Sequence, residues 1–369
     1  DTTPRFGLPW RRHLSGIGIA PQRLALVGVL GLAFAATALA CQICIPRPEQ
    51  TLADRLLNSD AVVLAREDPD RPFHFVAIET LKGQPGPAPI DAFLNSQARR
   101  RLAVEPDAAM LLGRETGSEK WQTLGIASGD YERVVRRILA FADDWRPGET
   151  DDPARLREFT RWLGHPDRRL HELAYLEVGR APYASIRRVS AEVPLETVRA
   201  MLDDPRYLEW RSLAILLLAE SGAPSDRARV RQTMRDKQRL SSTLNLDAWA
   251  TAYLAVIGPA AVAELTSWYF NDANRSRDEL RAIVRALSVH GANDPQLRGP
   301  IVTAYRTLVG IHPQSAPEVT RDLIAWRAWG LAPPMRALRP RIATADPLGA
   351  YAIDLYLRQA GMPRQSAIE

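Results

Sequence analysis

The spacing of apolar residues changes at Asp130, and that change limits what the chain can fold into. Upstream, short runs alternate with turn chemistry. Ala61–Ala65 and Phe73–Ile78 are split by Asp68-Pro69-Asp70, and Ile90–Leu94, Ala108–Leu112 and Trp121–Leu124 follow beyond Gly83-Gln-Pro85-Gly86-Pro87. Compact apolar and β-branched runs between such breakers predict strands. A short helix with leucines on one face is predicted ahead of them over Pro48–Leu57. Five short strands with one or two helices suit a small barrel. Downstream, apolar residues recur three and four apart. Tyr131, Val134, Val135, Ile138, Leu139, Ala142 and Trp145 line one face of a predicted helix that Pro147-Gly148 should stop. From there almost every segment reads as helix, turn, helix.

The helical part repeats itself weakly. Trp162-Leu-Gly-His-Pro166 through Gly179 aligns with Met201-Leu-Asp-Asp-Pro205 through Gly222, and again with Ile342 through Asp346-Pro347 to Gly361. In each copy one helix ends, a polar residue serves as cap, proline enters the next first turn, and glycine closes it. A degenerate copy runs from Trp268 through Asn271-Asp272 to Gly291 without the proline. Pro166 and Pro205 stand about 40 residues apart, and on that period the region resembles HEAT and armadillo-type helical repeat proteins. Leu213–Ala219 is apolar on all sides, as an inner helix of such a stack should be.

Charge bears on address more than on partners. Of the formal +5, Arg5, Arg11, Arg12 and Arg23 against Asp1 place +3 in the first forty residues. The body mixes both signs, which speaks against a nucleic-acid surface. Alanine and arginine are abundant while lysine occurs only at positions 82, 120 and 237, a bias read as the genome composition of a GC-rich bacterium. Basic residues up to Arg23, an uncharged run from Leu24 to Ala40 and the small residues Ala38 and Ala40 before Cys41 form the order of a signal peptide. Three outcomes stay open: cleavage after Ala40, an uncleaved anchor, since no charge occurs between Arg23 and Arg47, and lipidation of Cys41. Each predicts an exported protein, periplasmic or secreted, with membrane contact through the N-terminal segment or a lipidated cysteine.

Cys41 and Cys44 are the two cysteines of the chain. In an oxidising compartment they can close a structural disulfide, act as a redox pair, or supply half of a metal site. The remaining histidines show no ligand spacing, so no metal and no cofactor is expected. The terminal cysteines, Pro46, a short helix, the run Ser59-Asp60-Ala61-Val62-Val63-Leu64-Ala65-Arg66 and the later Leu81-Lys82-Gly83 together resemble the start of the tissue-inhibitor-of-metalloproteinases or netrin-type module. The resemblance implies an OB-like barrel. In the family's inhibitors the amine and carbonyl of the terminal cysteine chelate a protease zinc, which implies that role for Cys41. The family spaces its terminal cysteines by one residue and bridges them to distant ones, whereas here two residues intervene and no distant cysteine exists.

Phosphate loops, nucleophile elbows, zinc-protease helices and dinucleotide glycine patterns are missing, so the chain reads as non-enzymatic. Arg227, Arg231, Arg235 and Arg239 recur every four residues and share a helix face, a candidate surface for an acidic partner or simply a solvated face. Arg99-Arg100-Arg101 reads as loop or helix surface. Trp145, Trp162, Trp210, Trp249, Trp268, Trp326 and Trp329 fall at predicted apolar helix positions and are expected in the core. The expected architecture is α+β and multidomain: a targeting segment over 1–40, a small OB-like β-barrel over 41–128, a connecting helix over 129–148, and an all-α HEAT-like solenoid over 149–369. The expected function is a scaffold that binds protein partners through its helical surface, with thiol–disulfide chemistry at Cys41 and Cys44 and metalloproteinase inhibition as alternatives.

Overall fold

A computed structural model of the chain describes residues 50–86 and 89–361. The first element is helix α1, Leu52–Asn58, followed by strands β1 (Ser59–Asp68), β2 (Arg71–Lys82) and β3 (Ile90–Asp91), helix α2 (Ser96–Val104), strands β4 (Ala109–Glu115) and β5 (Trp121–Ala127), and helix α3 (Gly129–Ala140). The strands form one antiparallel sheet in the order β3-β2-β1-β4-β5, curled into a half-barrel. All five predicted strands exist. The central strand β1 explains its own sequence, because both of its faces are covered. Val62 and Leu64 face the helices, while Ala61, Val63 and Ala65 face the inside of the curl with Met110, Leu112 and Trp121. A strand buried on both faces reads as a continuous apolar run, not an alternating one. After β2 the chain turns at Gly83, whose φ is +64 and where an added Cβ would lie 1.8 Å from the carbonyl oxygen of Asp60. Only glycine fits there.

Thirteen further α-helices follow among the described residues: α4 (Pro153–Thr160), α5 (Arg168–Gly179), α6 (Tyr183–Val189), α7 (Leu195–Asp203), α8 (Arg211–Ala219), α9 (Pro224–Leu240), α10 (Leu246–Ile257), α11 (Ala260–Leu265), α12 (Arg277–Asn293), α13 (Arg298–Ile311), α14 (Thr320–Ala325), α15 (Ala332–Ala345) and α16 (Pro347–Gly361). Helices α6, α8, α10 and α12 pack on one another in succession, whereas α7 and α9 lie outside them. Composition follows position. In α8 every residue from Ser212 to Leu218 is buried, while α9 buries only Asp226, Val230, Met234 and Lys237 along one stripe. Aspartates cap the repeated turns, each accepting from a backbone N–H two or three residues on: Asp204 and Asp346 stand before their prolines as expected, whereas in the first copy the cap is Asp167, after Pro166, and the proline stays outside the helix.

Three expectations of detail are corrected. Helix α3 stops at Ala140, and Trp145 sits beyond it in the loop, buried with its ring stacked on Phe141 at 4.5 Å. The aromatic stack takes Trp145 into the core after the helical period has ended. Gly291 does not close α12; it lies inside that helix, where an added Cβ would come within 2.5 Å of Trp326. Of the seven tryptophans expected inside, Trp145, Trp210 and Trp249 are buried, and Trp162, Trp268, Trp326 and Trp329 are half-buried. An indole is large enough to close the edge of a core while keeping part of its surface in water.

Sheet and helices share one continuous apolar cluster, running from Leu56, Val62 and Leu111 through Tyr131, Val135 and Ile138 to Phe159 and Leu173. A buried ionic cluster pins the same join. Thr51 and Asp54 form a capping box at the start of α1, and both reach further. Asp54 is paired with Arg155 (Oδ1–Nη2 2.8 Å) and with Arg180, and Thr51 donates to Glu177. Glu177 pairs in turn with Arg155 (3.0 Å) and Arg180 (2.9 Å). All four charged side chains are almost fully buried. Burial pushes the Asp54 carboxyl up, but hydrogen bonds from Arg180, the Gly148 amide and Arg155 outweigh it and hold the group well below the usual carboxylate range. Two acids meet two guanidiniums, so the cluster is neutral as a whole, which is the condition under which charges tolerate burial.

Candidate functional site

At one end of the curled sheet β1 outruns its neighbour. Its ladder with β4 ends at the pair Ala65 and Met110, so Arg66, Glu67 and Asp68 project beyond it. Helix α2 and the connection through Pro106 fold over this end and leave a cavity of about 410 Å³, a size in the range of small-ligand sites. Its floor includes Ala65, Leu94 and Leu102, which belong to or pack on the inner apolar cluster of the sheet. Its rim is ionic. Arg99 on α2 makes a bidentate pair with Glu67 (2.7 and 2.9 Å), and Arg66 Nη2 donates to the Pro106 carbonyl at 2.8 Å.

Glu67 has a second task that shapes the surface. Its Oε1 accepts from the backbone N–H of Phe73 at 2.8 Å, and the Phe73 carbonyl accepts from Ala92 N at 3.1 Å. These bonds hold Phe73 at φ +68, a left-handed conformation that costs a bulky residue about 1–3 kcal/mol. The strained backbone turns the phenyl ring outward. It stacks on Phe93 with centroids 5.9 Å apart and planes 6° from parallel, and the Arg99 guanidinium lies over the Phe73 ring at 5.4 Å. Phe73 is 44% and Phe93 74% exposed. Val76, Ile78 and Val104 are exposed in the same stretch of chain, so five of the twelve large apolar residues standing in solvent among the described residues fall between Phe73 and Val104. No serine, cysteine or histidine lines the cavity, and Glu67 has both oxygens engaged. The arrangement is equipped to hold an apolar group against a guanidinium.

The residues singled out from the sequence lie elsewhere. Ala38, Ala40, Cys41 and Cys44, with the whole targeting segment, fall outside the described residues. Arg227, Arg231, Arg235 and Arg239 are all exposed along α9. Arg227 donates to the Val256 carbonyl at 2.9 Å and Arg239 pairs with Asp236 at 3.1 Å. Arg231 and Arg235 lie near the phenol of Tyr253, which is pushed up to about 12 by burial and by its bond to Glu264. Among the described residues the histidines form no ligand set: His74 pairs with Asp91, His165 with Asp130, His171 accepts from the Gly164 amide, and His290 is bonded to the Thr251 carbonyl, while His312 Nε2 is buried without a partner. Among the described residues no three groups of metal-binding type come together.

The site at the sheet mouth was missed because its members are unremarkable in order. Arg99 belonged to a triplet read as surface, and nothing local marks Phe73 as left-handed. The one available signal was Phe93, an aromatic placed after a strand and before a helix cap. Comparison of the chain with known protein families, with curated proteins and with solved structures finds no match.

Proposed function

We propose that this is an exported, non-enzymatic envelope protein that binds another protein, with an OB-like half-barrel carried on a HEAT-like helical frame. Strand order supports the first element: β3-β2-β1-β4-β5 with a helix between β3 and β4 is the arrangement of a partly open five-stranded Greek-key barrel. The alternation of inner helices α6, α8, α10 and α12 with outer helices supports the second.

The observation that carries the binding function is the strained, exposed aromatic stack. A chain that keeps Phe73 left-handed in order to hold its ring in water beside an even more exposed Phe93 spends stability on a surface. Strain of this kind collects at sites of recognition, and buried aromatics with arginine are the usual anchors of protein interfaces. The partner surface supplies an apolar group to the phenyl pair and a carbonyl or carboxylate toward Arg66.

A photo-crosslinking residue at Phe93, compared with one at the exposed Glu119, tests this in the native envelope. The expected result is a discrete adduct from position 93 that falls about tenfold or more when Phe73 is replaced by asparagine, a residue that tolerates the left-handed backbone. Equal adducts from both positions, or a yield indifferent to Phe73→Asn, would refute it.

A further inference from the structure

The arginine row of α9 gains a meaning from what stands at its end. The helix carries Arg227, Arg229, Arg231, Arg235, Lys237 and Arg239 against Asp226 and Asp236, a larger positive surplus than the whole chain has beyond its first forty residues. Asp226 is buried against Arg199 at 2.9 Å, and Asp236 is taken by Arg239 and Gln232. Of the neighbouring carboxylates, Asp203 is paired with Arg229 at 2.7 Å, Asp272 with Arg275 at 3.0 Å, Asp247 with Arg285 and Asp278 with Arg281 both at 3.6 Å, and Glu264 accepts from the Tyr253 phenol beside Arg231 and Arg235.

The row runs into two bare leucines. Leu240, the last residue of α9, is 68% exposed, and Leu244 in the following loop is 58% exposed. The loop is held rigidly in that posture. Ser241 (φ 49) and Asn245 (φ 51) are both left-handed without being glycine. From beneath, Lys237 Nζ donates to the Leu244 carbonyl, and Arg275 Nη1 donates to the Gln238 carbonyl at 3.0 Å and to Ser241 Oγ at 3.3 Å. Two lysine and arginine side chains thus fix a turn whose leucines face away from the core.

An acidic protein calls for the arginines but gives no reason for the leucine tip. A lipid surface calls for both, because apolar side chains enter the boundary of the headgroups while guanidiniums neutralise the phosphates. We propose that the C-terminal end of α9 docks on a bilayer surface rich in anionic phospholipid, with Leu240 and Leu244 entering it, Arg239 and Arg235 binding headgroups, and Arg231 adding a weaker, longer-range attraction. At 1.5 Å per residue, Arg235 and Arg231 stand about 6 and 12 Å behind Arg239 along the axis. The nearer arginines therefore fall within the screening length of about 8 Å at physiological ionic strength, and Arg227 contributes least. Among the described residues no helix is long and apolar enough to cross a membrane, so this contact is with a surface.

The test must read the tip itself, because the apolar run Leu24–Ala40 can carry the full chain to any bilayer. A solvatochromic amino acid is placed at Leu244 in the full chain and, in a second protein, at Tyr351, which is exposed on α16. Vesicles of phosphatidylcholine with and without phosphatidylglycerol are then added. The expected result is a blue shift at position 244 with phosphatidylglycerol only. The half-saturating lipid concentration should rise about tenfold or more when Arg231, Arg235 and Arg239 are replaced by glutamine, with no shift at position 351. No shift at 244, or an equal shift on the neutral vesicles, would overturn the proposal. An equal shift with soluble polyglutamate would overturn it in favour of an acidic protein.

Discussion

His171 and His290 are core histidines, and each has its charge state set by burial. His171 accepts from the Gly164 amide through Nδ1 at 2.8 Å, and its ring packs against both Tyr207 and Trp210, at 4.5 and 4.4 Å. His290 is bonded to the Thr251 carbonyl at 2.9 Å. Burial, aided for His171 by the nearby His165, pushes each imidazole down to about 4 from an ordinary 6.5. The unfolded chain therefore binds more protons than the folded one between about pH 6.5 and 4, and stability is lost as pH falls through that window. Each histidine contributes a slope of about 1.4 kcal/mol per pH unit there. Urea unfolding at pH 7 and pH 5 should show the loss, and replacing both by glutamine should flatten it; equal stability of the native chain at the two pH values would contradict the assignment. The sequence showed that these histidines lacked ligand spacing, but their burial depends on aromatic neighbours far along the chain, which no local pattern reveals. Phe73 illustrates the same limit, since its backbone conformation is set by Glu67 across a hairpin.

Helix α1 shows how an element can be legible while its role is not. Leucines on one face of a short helix before the first strand are visible in the sequence, and the helix is there. Its attachment is invisible, because Asp54 reads as an ordinary polar residue of the exposed face. In the structure that residue meets Arg155 and Arg180. Replacing Asp54 with alanine strands two buried guanidiniums against a single acid and should cost about 3–5 kcal/mol, measured by denaturant titration. A loss below about 1 kcal/mol, typical of an exposed pair, would show that the cluster is hydrated. The strands were legible through their turn chemistry, and the repeated proline turns through their caps. Elements that end for tertiary reasons were not. Trp145 keeps the helical spacing of α3 but belongs to a loop, and Gly291 lies inside α12 because the Trp326 ring needs a position without a side chain.

At the scale of the molecule, the change of period at Asp130 marks where strands give way to helices, but the apolar cluster runs through it. Sheet and helices should therefore lose structure together. Hydrogen exchange of β1 and of α8 in increasing denaturant should report the same opening free energy, and protection lost in β1 while α8 stays closed would contradict a shared core. The charges at the join add a matter of timing. Asp54 lies 101 residues before Arg155 and 126 before Arg180. A chain that emerges from its N-terminal side presents the acid long before either counter-charge, and the first helix cannot reach its native seat until α5 and the turn after it have been delivered. Through that interval α1 can rest its leucines on the sheet and α3 but leaves the Asp54 carboxylate without its guanidiniums, and it is then that a chaperone or a translocation channel has something to hold.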